Sequence, residues 1–324
     1  MSITIQERVH PEFGKCIAFS NPYIELWVTV DIGPRVIRLS VPGGENMFAE
    51  LPDMEDEICG WKIWGGHRLW TSPEAMPRTY ELDNDPVDYE ILEDGIIVRN
   101  DIDPISGMSK EIEVILQEDS GIVEVTHRVT NRNAWPIELA AWAITVCAPG
   151  GKVVFPRNSD DTGYLANQLM AIWPYAKLND PRFWQGAQYF TLSHDAESGP
   201  FKVGLDNKEG WAAYFNHDCA FIKQFIVEED AKYPDGGMTF ETYTNQRFTE
   251  VETLSPLTTL RPGETVEHFE MWELLPDMPM PEDDDRELNA FALLTVYSDE
   301  EPCDGNCAEC EDADTCEDYD DSRD

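Results

Sequence analysis

Tryptophans near polar side chains are the first feature of this sequence that could do chemistry. The 324-residue chain contains 10 tryptophans. An indole face covers C–H groups while neighbouring polar atoms hydrogen-bond to hydroxyls, which is how proteins bind sugars. Any one tryptophan is more commonly a core or interface residue, so only the group supports this interpretation. Its members are Trp64, Trp70, Trp142, Trp173 and Trp184.

His67 has a sequence context that suits a ligand-binding site. It follows Gly65 and Gly66, and it is followed by Arg68 and then by Trp70. Paired glycines allow the backbone to turn tightly and to approach a ligand closely. A neighbouring arginine disfavours protonation of the imidazole, so a neutral His67 can donate a hydrogen bond as well as transfer a proton. A structural role for His67 is the alternative.

Two carboxylates lie two residues apart in a strand-like segment. Glu250 and Glu252 share one predicted strand face with Phe248 and Leu254. Residues at this spacing are about 7 Å apart, and like charges at that distance raise carboxyl pKa values. Such carboxylates can exchange protons near neutral pH. The alternative is that they are solvated surface groups, because the chain has 64 acidic residues.

The charge of the chain limits its partners. The formal net charge is −41 at pH 7. A field of this sign repels phosphate backbones and anionic lipids, so neither nucleic acid nor a membrane is an expected partner. The start of the sequence has no charged segment followed by an apolar run, and no stretch approaches the roughly 18 apolar residues of a membrane helix. We therefore expect a cytoplasmic protein.

Short strands separated by turn residues dominate the chain. β-branched and aromatic residues are concentrated in many segments, several with period-two alternation. The predicted fold class is all-β, a large antiparallel β-sandwich over residues 1–275. Residues 276–298 are predicted as a linker with one short helix, and residues 299–324 as an acidic, disordered tail. The predicted strands cover 23–30, 35–41, 89–100, 110–117, 121–131, 137–146, 201–204, 210–215, 220–228, 238–244, 247–254 and 266–274.

Four cysteines are concentrated in the acidic tail. Cys303, Cys307, Cys310 and Cys316 have the spacing C-x3-C-x2-C-x5-C. Four thiolates can bind zinc, but this spacing lacks the paired C-x2-C knuckles of zinc sites, and surrounding acids disfavour thiolates. Reduced thiols in a solvated tail are the simpler interpretation, so no metal is assigned, and the partner of the tail stays open.

Three stretches of the sequence, residues 31–48, 61–87 and 240–274, resemble the galactose mutarotase (aldose 1-epimerase) superfamily. The first resembles its opening hairpin, which leads to Asn46. The second resembles the segment that supplies its first active-site histidine. The third resembles its C-terminal region, where a strand glutamate precedes a turn with Pro262 and Gly263 and a strand ending in Trp-x-Leu. The resemblance implies a supersandwich with a shallow sugar site on its concave face.

The resemblance also implies roles for individual residues. A base takes the proton of the anomeric hydroxyl while an acid protonates the ring oxygen, which requires no cofactor. His67 and Glu252 correspond to this catalytic pair, with Glu241 as the alternative to Glu252, and the implied partner is a small carbohydrate. Tyr80 and Asp83 are further polar candidates, and convergence of Arg68 with Lys223 would suit a sugar phosphate. The implied substrate-binding residues are Arg35, Asn46, Arg68, Glu74, Trp142, Glu241, Asn245 and Glu250.

The sequence departs from the superfamily pattern at one important point. Epimerases of this type carry a second active-site histidine in the middle of the chain, where this sequence has Trp142 or Thr145. His127 lies earlier and shares its predicted strand face with valines, which indicates a core position. The alternative function is therefore a carbohydrate-binding protein that has lost the second catalytic histidine.

Overall fold

The computed structural model describes residues 3–55 and 60–297, and these form two large β-sheets. One helix, α1, spans Asp285–Thr295. The strands are, in chain order, β1 (Thr4–His10), β2 (Gly14–Ser20), β3 (Glu25–Thr29), β4 (Arg35–Ser40), β5 (Glu50–Glu55), β6 (Lys62–Ser72), β7 (Asp88–Ile91), β8 (Gly95–Arg99), β9 (Met108–Leu116), β10 (Ile122–Asn131), β11 (Ile137–Cys147), β12 (Lys152–Pro156), β13 (Met170–Ile172), β14 (Phe183–Gln185), β15 (Tyr189–Ser193), β16 (Phe201–Leu205), β17 (Trp211–Asn216), β18 (Cys219–Phe225), β19 (Phe240–Thr244), β20 (Thr249–Leu254), β21 (Thr258–Leu260) and β22 (Thr265–Pro276).

The two sheets are antiparallel throughout the described residues and form a sandwich. The first sheet has 12 strands in the order β1-β2-β3-β4-β6-β11-β20-β19-β16-β13, with β5 paired to β6 and β21 paired to β11. The second sheet has 10 strands in the order β14-β15-β12-β17-β18-β22-β10-β9-β8-β7. The predicted all-β antiparallel sandwich is confirmed. The predicted strand over 89–100 is instead two strands, β7 and β8, because the turn before Gly95 reverses the chain.

Alternation of apolar and polar residues explains how the strands build the core. On β10, Val123, Val125, His127 and Val129 are buried, while the residues between them are partly exposed. Because successive side chains point to opposite faces of a sheet, this pattern directs one face of β10 toward the first sheet. The predicted core position of His127 is confirmed, since its side chain is fully buried.

The two glycines before His67 serve strand packing. Gly65 and Gly66 have φ values of 90° and 66° in β6, which lies between β4 and β11. A Cβ atom on Gly65 would lie 2.0 Å from the carbonyl oxygen of Ala49, and one on Gly66 would lie 2.3 Å from that of Val36. Only glycine combines this backbone conformation with such close approach. The expectation that these glycines bring the backbone to a ligand is corrected, because neighbouring strands occupy that space.

The helix covers the outer face of the second sheet. Asp284 caps α1 by accepting hydrogen bonds from the backbone N–H groups of Arg286 and Glu287. Leu288 and Ala292 are buried against β12, β15, β17 and β18. At 11 residues, α1 is too short to cross a membrane, and the described residues contain no other helix. Residues 299–324, with Cys303, Cys307, Cys310 and Cys316, lie outside the described residues.

Candidate functional site

An aromatic cleft of about 430 Å³ lies on the outer face of the first sheet. It is formed on five consecutive strands of this sheet, in the order β6, β11, β20, β19 and β16. Its charged groups include Arg68, Lys202 and Glu250, and half of its lining residues are aromatic. The lining residues are Met54, Trp61, Ile63, Arg68, Trp70, Glu74, Tyr80, Trp142, Ile144, Trp173, Tyr175, Lys202, Tyr243, Asn245, Phe248 and Glu250.

Strand alternation determines which residues reach the cleft. On β6, Arg68 and Trp70 point outward, while Leu69 packs in the core between the sheets. On β20, Glu250 points outward, while Val251 packs in the core. The predicted common face of Glu250, Glu252, Phe248 and Leu254 agrees with these contacts.

The first charged pair of the cleft joins two of these strands. An Nη atom of Arg68 lies 3.1 Å from Oε1 of Glu250, and the guanidinium carbon lies 4.6 Å from the centre of the Trp70 ring. Burial raises the pKa of Glu250 to about 7, although the positive charge of Arg68 opposes this shift. Glu250 therefore has a carboxyl group that changes charge near neutral pH.

The second charged group of the cleft is an ammonium between two carboxylates. Nζ of Lys202 lies 2.7 Å from Glu241 and 2.8 Å from Glu252, and 4.7 Å from the ring centres of both Trp142 and Trp173. Burial alone would lower the pKa of Lys202, but the two carboxylates raise it above its usual value. Burial raises the pKa of Glu241 to about 8.

Glu252 lies beneath the wall of the cleft. Its Oε2 accepts hydrogen bonds from Nε1 of Trp142 at 2.9 Å and from Lys202 at 2.8 Å. Its side chain is fully buried and does not line the cleft. Glu252 therefore holds two residues that line the cleft, Trp142 and Lys202, through hydrogen bonds and does not itself reach the cleft.

His67 points away from the cleft. Its Nδ1 lies 2.9 Å from the Thr145 hydroxyl, and its Nε2 lies 2.7 Å from Nε2 of His127. Because Nδ1 of His127 is 2.9 Å from the backbone carbonyl of His268, that nitrogen carries a proton, and a neutral His127 accepts at Nε2. These contacts place His67 between the sheets, so the expected acid–base pairing of His67 with Glu252 across a sugar pocket is corrected.

His67 belongs to an interior network of five residues, which are His67, His127, His268, Lys223 and Glu270. Nζ of Lys223 lies 3.0 Å from Glu270. Burial alone would raise the pKa of Glu270, but it is lowered to about 2, and the positive charge of Lys223 is the largest cause of this lowering. Burial lowers the pKa values of all three histidines, that of His268 to about 3. The network is therefore a lysine–glutamate ion pair with neutral histidines.

The same network contains the group of described residues best placed to hold a metal. Ligand atoms of His67, His127 and Glu270 lie within 4.8 Å of one another. Hydrogen bonds already account for these atoms, since His67 bonds to His127, and Glu270 accepts from Trp272 at 2.8 Å and from Thr253. The arrangement therefore needs no metal to satisfy its polar groups.

The other predicted site residues divide into two groups. Glu74 and Asn245 line the cleft with Trp142. Arg35 is fully buried and contacts Asp83 and the carbonyl of Gly65. It is thus a structural residue, as is Asn46. The amide of Asn46 accepts from two backbone N–H groups at 3.1 Å and donates to the Ile37 carbonyl at 3.0 Å.

Lys223 does not converge with Arg68. It belongs to the interior network, whereas Arg68 lies in the cleft. The arrangement that would have suited a sugar phosphate is therefore absent from the described residues. Lys202 is the cation beside the cleft that the sequence analysis missed. The signal was available, because Lys202 is the only charged residue of the apolar strand Phe201–Leu205.

Comparison with known proteins gives the fold. No protein-family model matches the sequence, and no curated protein matches it. A galactose mutarotase-like protein from Lactobacillus casei matches 80% of this chain and 99% of its own, with a TM-score of 0.54 and 12% identity. The chain has the galactose mutarotase-like fold. A galactose mutarotase-like protein from Clostridium acetobutylicum matches 85% of this chain and 99% of its own, with a TM-score of 0.51 and 12% identity.

The chain also matches part of a longer protein. A TPR-domain containing protein from Parabacteroides distasonis matches 82% of this chain, with a TM-score of 0.57 and 14% identity. The match covers 48% of that protein, so this chain spans about half of its length.

Proposed function

We propose that the cleft binds a carbohydrate. The observation that carries this proposal is the aromatic cleft of about 430 Å³, which has hydrogen-bonding side chains at its centre and rim. Indole and phenol rings cover the C–H faces of a sugar, and Arg68, Asn245 and Glu250 provide donors and acceptors for hydroxyls. The volume lies within the range of small-molecule sites.

The test is a titration of the full chain with a panel of aldoses by calorimetry. Trp173→Ala removes one aromatic wall and is expected to weaken binding about fivefold or more, since aromatic contacts are worth about 1 kcal/mol or more. Trp135→Ala is the matched control, because Trp135 is 61% exposed and does not line the cleft. Equal loss of affinity in the two variants would contradict the proposal.

Interconversion of sugar anomers is a second function favoured by Glu250. Its carboxyl group lines the cleft, and its pKa of about 7 suits proton exchange at neutral pH. As a carboxylate, Glu250 takes the proton of the anomeric hydroxyl while the ring C–O bond breaks. It returns the proton to that oxygen when the ring closes on the other face. The ring oxygen gains a proton on opening and loses it on closing, by exchange with water.

Saturation-transfer NMR of anomeric exchange distinguishes turnover from binding alone. Glu250→Gln is expected to bind the sugar within a few-fold of the unmodified affinity and to lose accelerated exchange. Unaltered exchange in Glu250→Gln would remove Glu250 from the mechanism. Binding without acceleration in the unmodified protein would support a carbohydrate-binding protein without turnover.

A further inference from the structure

The cleft continues into a second cavity of about 360 Å³. Glu74, Tyr80, Trp142 and Trp173 line both spaces, and Asp235 lines only the second. The remaining wall residues are Pro73, Ala75 and Met76, so no basic side chain of the described residues lines this cavity. It therefore combines two indoles with two carboxylates that are at least partly exposed.

Both cations of the cleft already have carboxyl partners. Arg68 pairs with Glu250 at 3.1 Å, and Lys202 lies between Glu241 and Glu252. An anionic ligand would have to compete with these carboxyl groups for Arg68 or Lys202, and any of them that is ionised would then lose its counter-charge in a buried site, which is costly. The cleft is therefore poorly suited to phosphate or carboxylate groups.

Charge balance favours a ligand of the opposite sign. Three carboxyl groups and two cations line the cleft and the second cavity, and the buried carboxyl groups of Glu241 and Glu252 contact one of these cations, Lys202. The net charge of −41 adds a long-range field that concentrates cations near the surface. A cationic group that enters the second cavity is stabilised by the nearby carboxyl groups and by this long-range field.

The indoles of this region already bind an ammonium. Lys202 lies 4.7 Å from the ring centres of Trp142 and Trp173, which is cation–π distance. The same two indoles line the second cavity. A ligand ammonium there would meet aromatic walls together with the carboxylates of Glu74 and Asp235.

We propose that the ligand is a sugar bearing a protonated amino group, which the cavity lined by Glu74, Asp235, Trp142 and Trp173 recognises. This inference rests on the proposed function, since it concerns the same cleft. It names the substrate class as an amino sugar and excludes sugar phosphates.

The experiment compares three hexosamines, glucosamine, galactosamine and mannosamine, with their N-acetyl forms and parent hexoses. Calorimetry is run on the full chain at about pH 6, where the amine is protonated. At least one free hexosamine is expected to bind about tenfold more tightly than its N-acetyl form, which is the scale of a cation–π contact with a partly exposed ion pair.

Matched variants locate the selectivity. In Glu74→Gln/Asp235→Asn the preference for the free amine, measured as the ratio of the affinities for the free and N-acetyl forms in the same variant, is expected to fall to about twofold or less. Glu93→Gln/Glu118→Gln removes two exposed carboxylates that do not line the cleft or the second cavity. This control is expected to keep the full preference.

The outcomes separate the inference from the proposed function. Hexoses that bind as tightly as their amino forms would overturn the amino-sugar inference and leave carbohydrate binding intact. Tighter binding of glucose 6-phosphate than of glucose would also overturn it. Failure of every sugar to bind would overturn the proposed function itself.

Discussion

The charged residues of the cleft illustrate how burial changes side-chain chemistry. Glu241 and Glu252 face each other on β19 and β20, and the ammonium of Lys202 lies between them. Carboxylates lose hydration when they are buried, so the neutral form is favoured unless a cation compensates. One ammonium cannot compensate two carboxylates fully, which is why the pKa of Glu241 is raised.

The pH dependence of stability follows from this raised pKa. Folded Glu241 titrates at about 8, against a usual value of 4.5. Between these two pH values the folded chain binds more protons than the unfolded chain. The stability that proton binding at Glu241 contributes is therefore complete below about pH 4.5 and is lost as pH rises toward 8. Glu241→Gln is expected to gain stability relative to the unmodified protein over this range, by up to about 1.4 kcal/mol per pH unit.

Denaturant unfolding at pH 5, 6, 7 and 8 measures this difference. Glu93→Gln, which removes an exposed carboxylate, is the matched control. A difference for Glu241→Gln that varies with pH no more than that of the control would contradict the predicted ionisation of Glu241.

The sequence predicted the direction of the Glu250 and Glu252 side chains better than that of the His67 side chain. Glu250 and Glu252 lie on a regular strand, where period-two alternation predicts a common face. His67 follows two glycines with positive φ, where regular alternation breaks down, so its direction depends on contacts that the sequence does not reveal. Partners such as Thr145 and His127 come from strands 78 and 60 residues away.

At the scale of elements, β6 connects the cleft with the core. Its side chains Arg68 and Trp70 line the cleft, and His67 belongs to the interior network. The close approach of β4 and β5 to its two glycines fixes its position in the sheet. The stability of this strand therefore depends on the absence of side chains at two positions.

Gly66→Ala is expected to destabilise the protein by more than about 2 kcal/mol, because a methyl group adds a steric clash to a strained φ. The added Cβ would lie 2.3 Å from the Val36 carbonyl oxygen and 3.0 Å from Cα of Ile37. Gly43→Ala is the matched control, since Gly43 has a φ of 73° but no atom within 4 Å of the added Cβ. The control is expected to lose about 1 kcal/mol, and equal losses in chemical unfolding would contradict the role of close packing.

Elements with strong alternation were predicted well from sequence, and short or irregular ones were not. The segments now seen as β9, β10 and β22 were identified because β-branched and aromatic residues alternate with polar ones. The three-residue strands β13, β14 and β21 carry too few residues for a period to be visible. The helix at 285–295 was identified from its acidic start, and Asp284 caps it.

At the scale of the whole molecule, the sandwich must form against strong charge repulsion. The chain has 64 acidic and 23 basic residues. Like charges repel in the compact state more than in the extended one, so the large negative charge opposes folding. Buried pairs such as Lys110–Glu81 at 2.6 Å are local exceptions to this repulsion.

Salt is therefore expected to stabilise the protein. Between about 0.01 M and about 0.1 M sodium chloride the screening length falls from about 30 Å to about 10 Å, and the melting temperature is expected to rise by a few degrees. Sucrose at equal osmolality is the control, because it leaves charge screening unchanged. A melting temperature that is independent of salt over this range would contradict the predicted repulsion.

The order of two neighbouring residues on β6 decides what the cleft contains. His67 and Arg68 are consecutive, so their side chains leave the strand on opposite sides, one toward His127 and the other toward Glu250. A one-residue slip of a strand exchanges its two faces. Insertion of one residue after Gly66 would thus carry the imidazole to the outward position of Arg68 and the guanidinium to the inward position of Leu69, in the core between the sheets. A histidine-bearing cleft and the present arginine-bearing cleft therefore differ by a single step along β6.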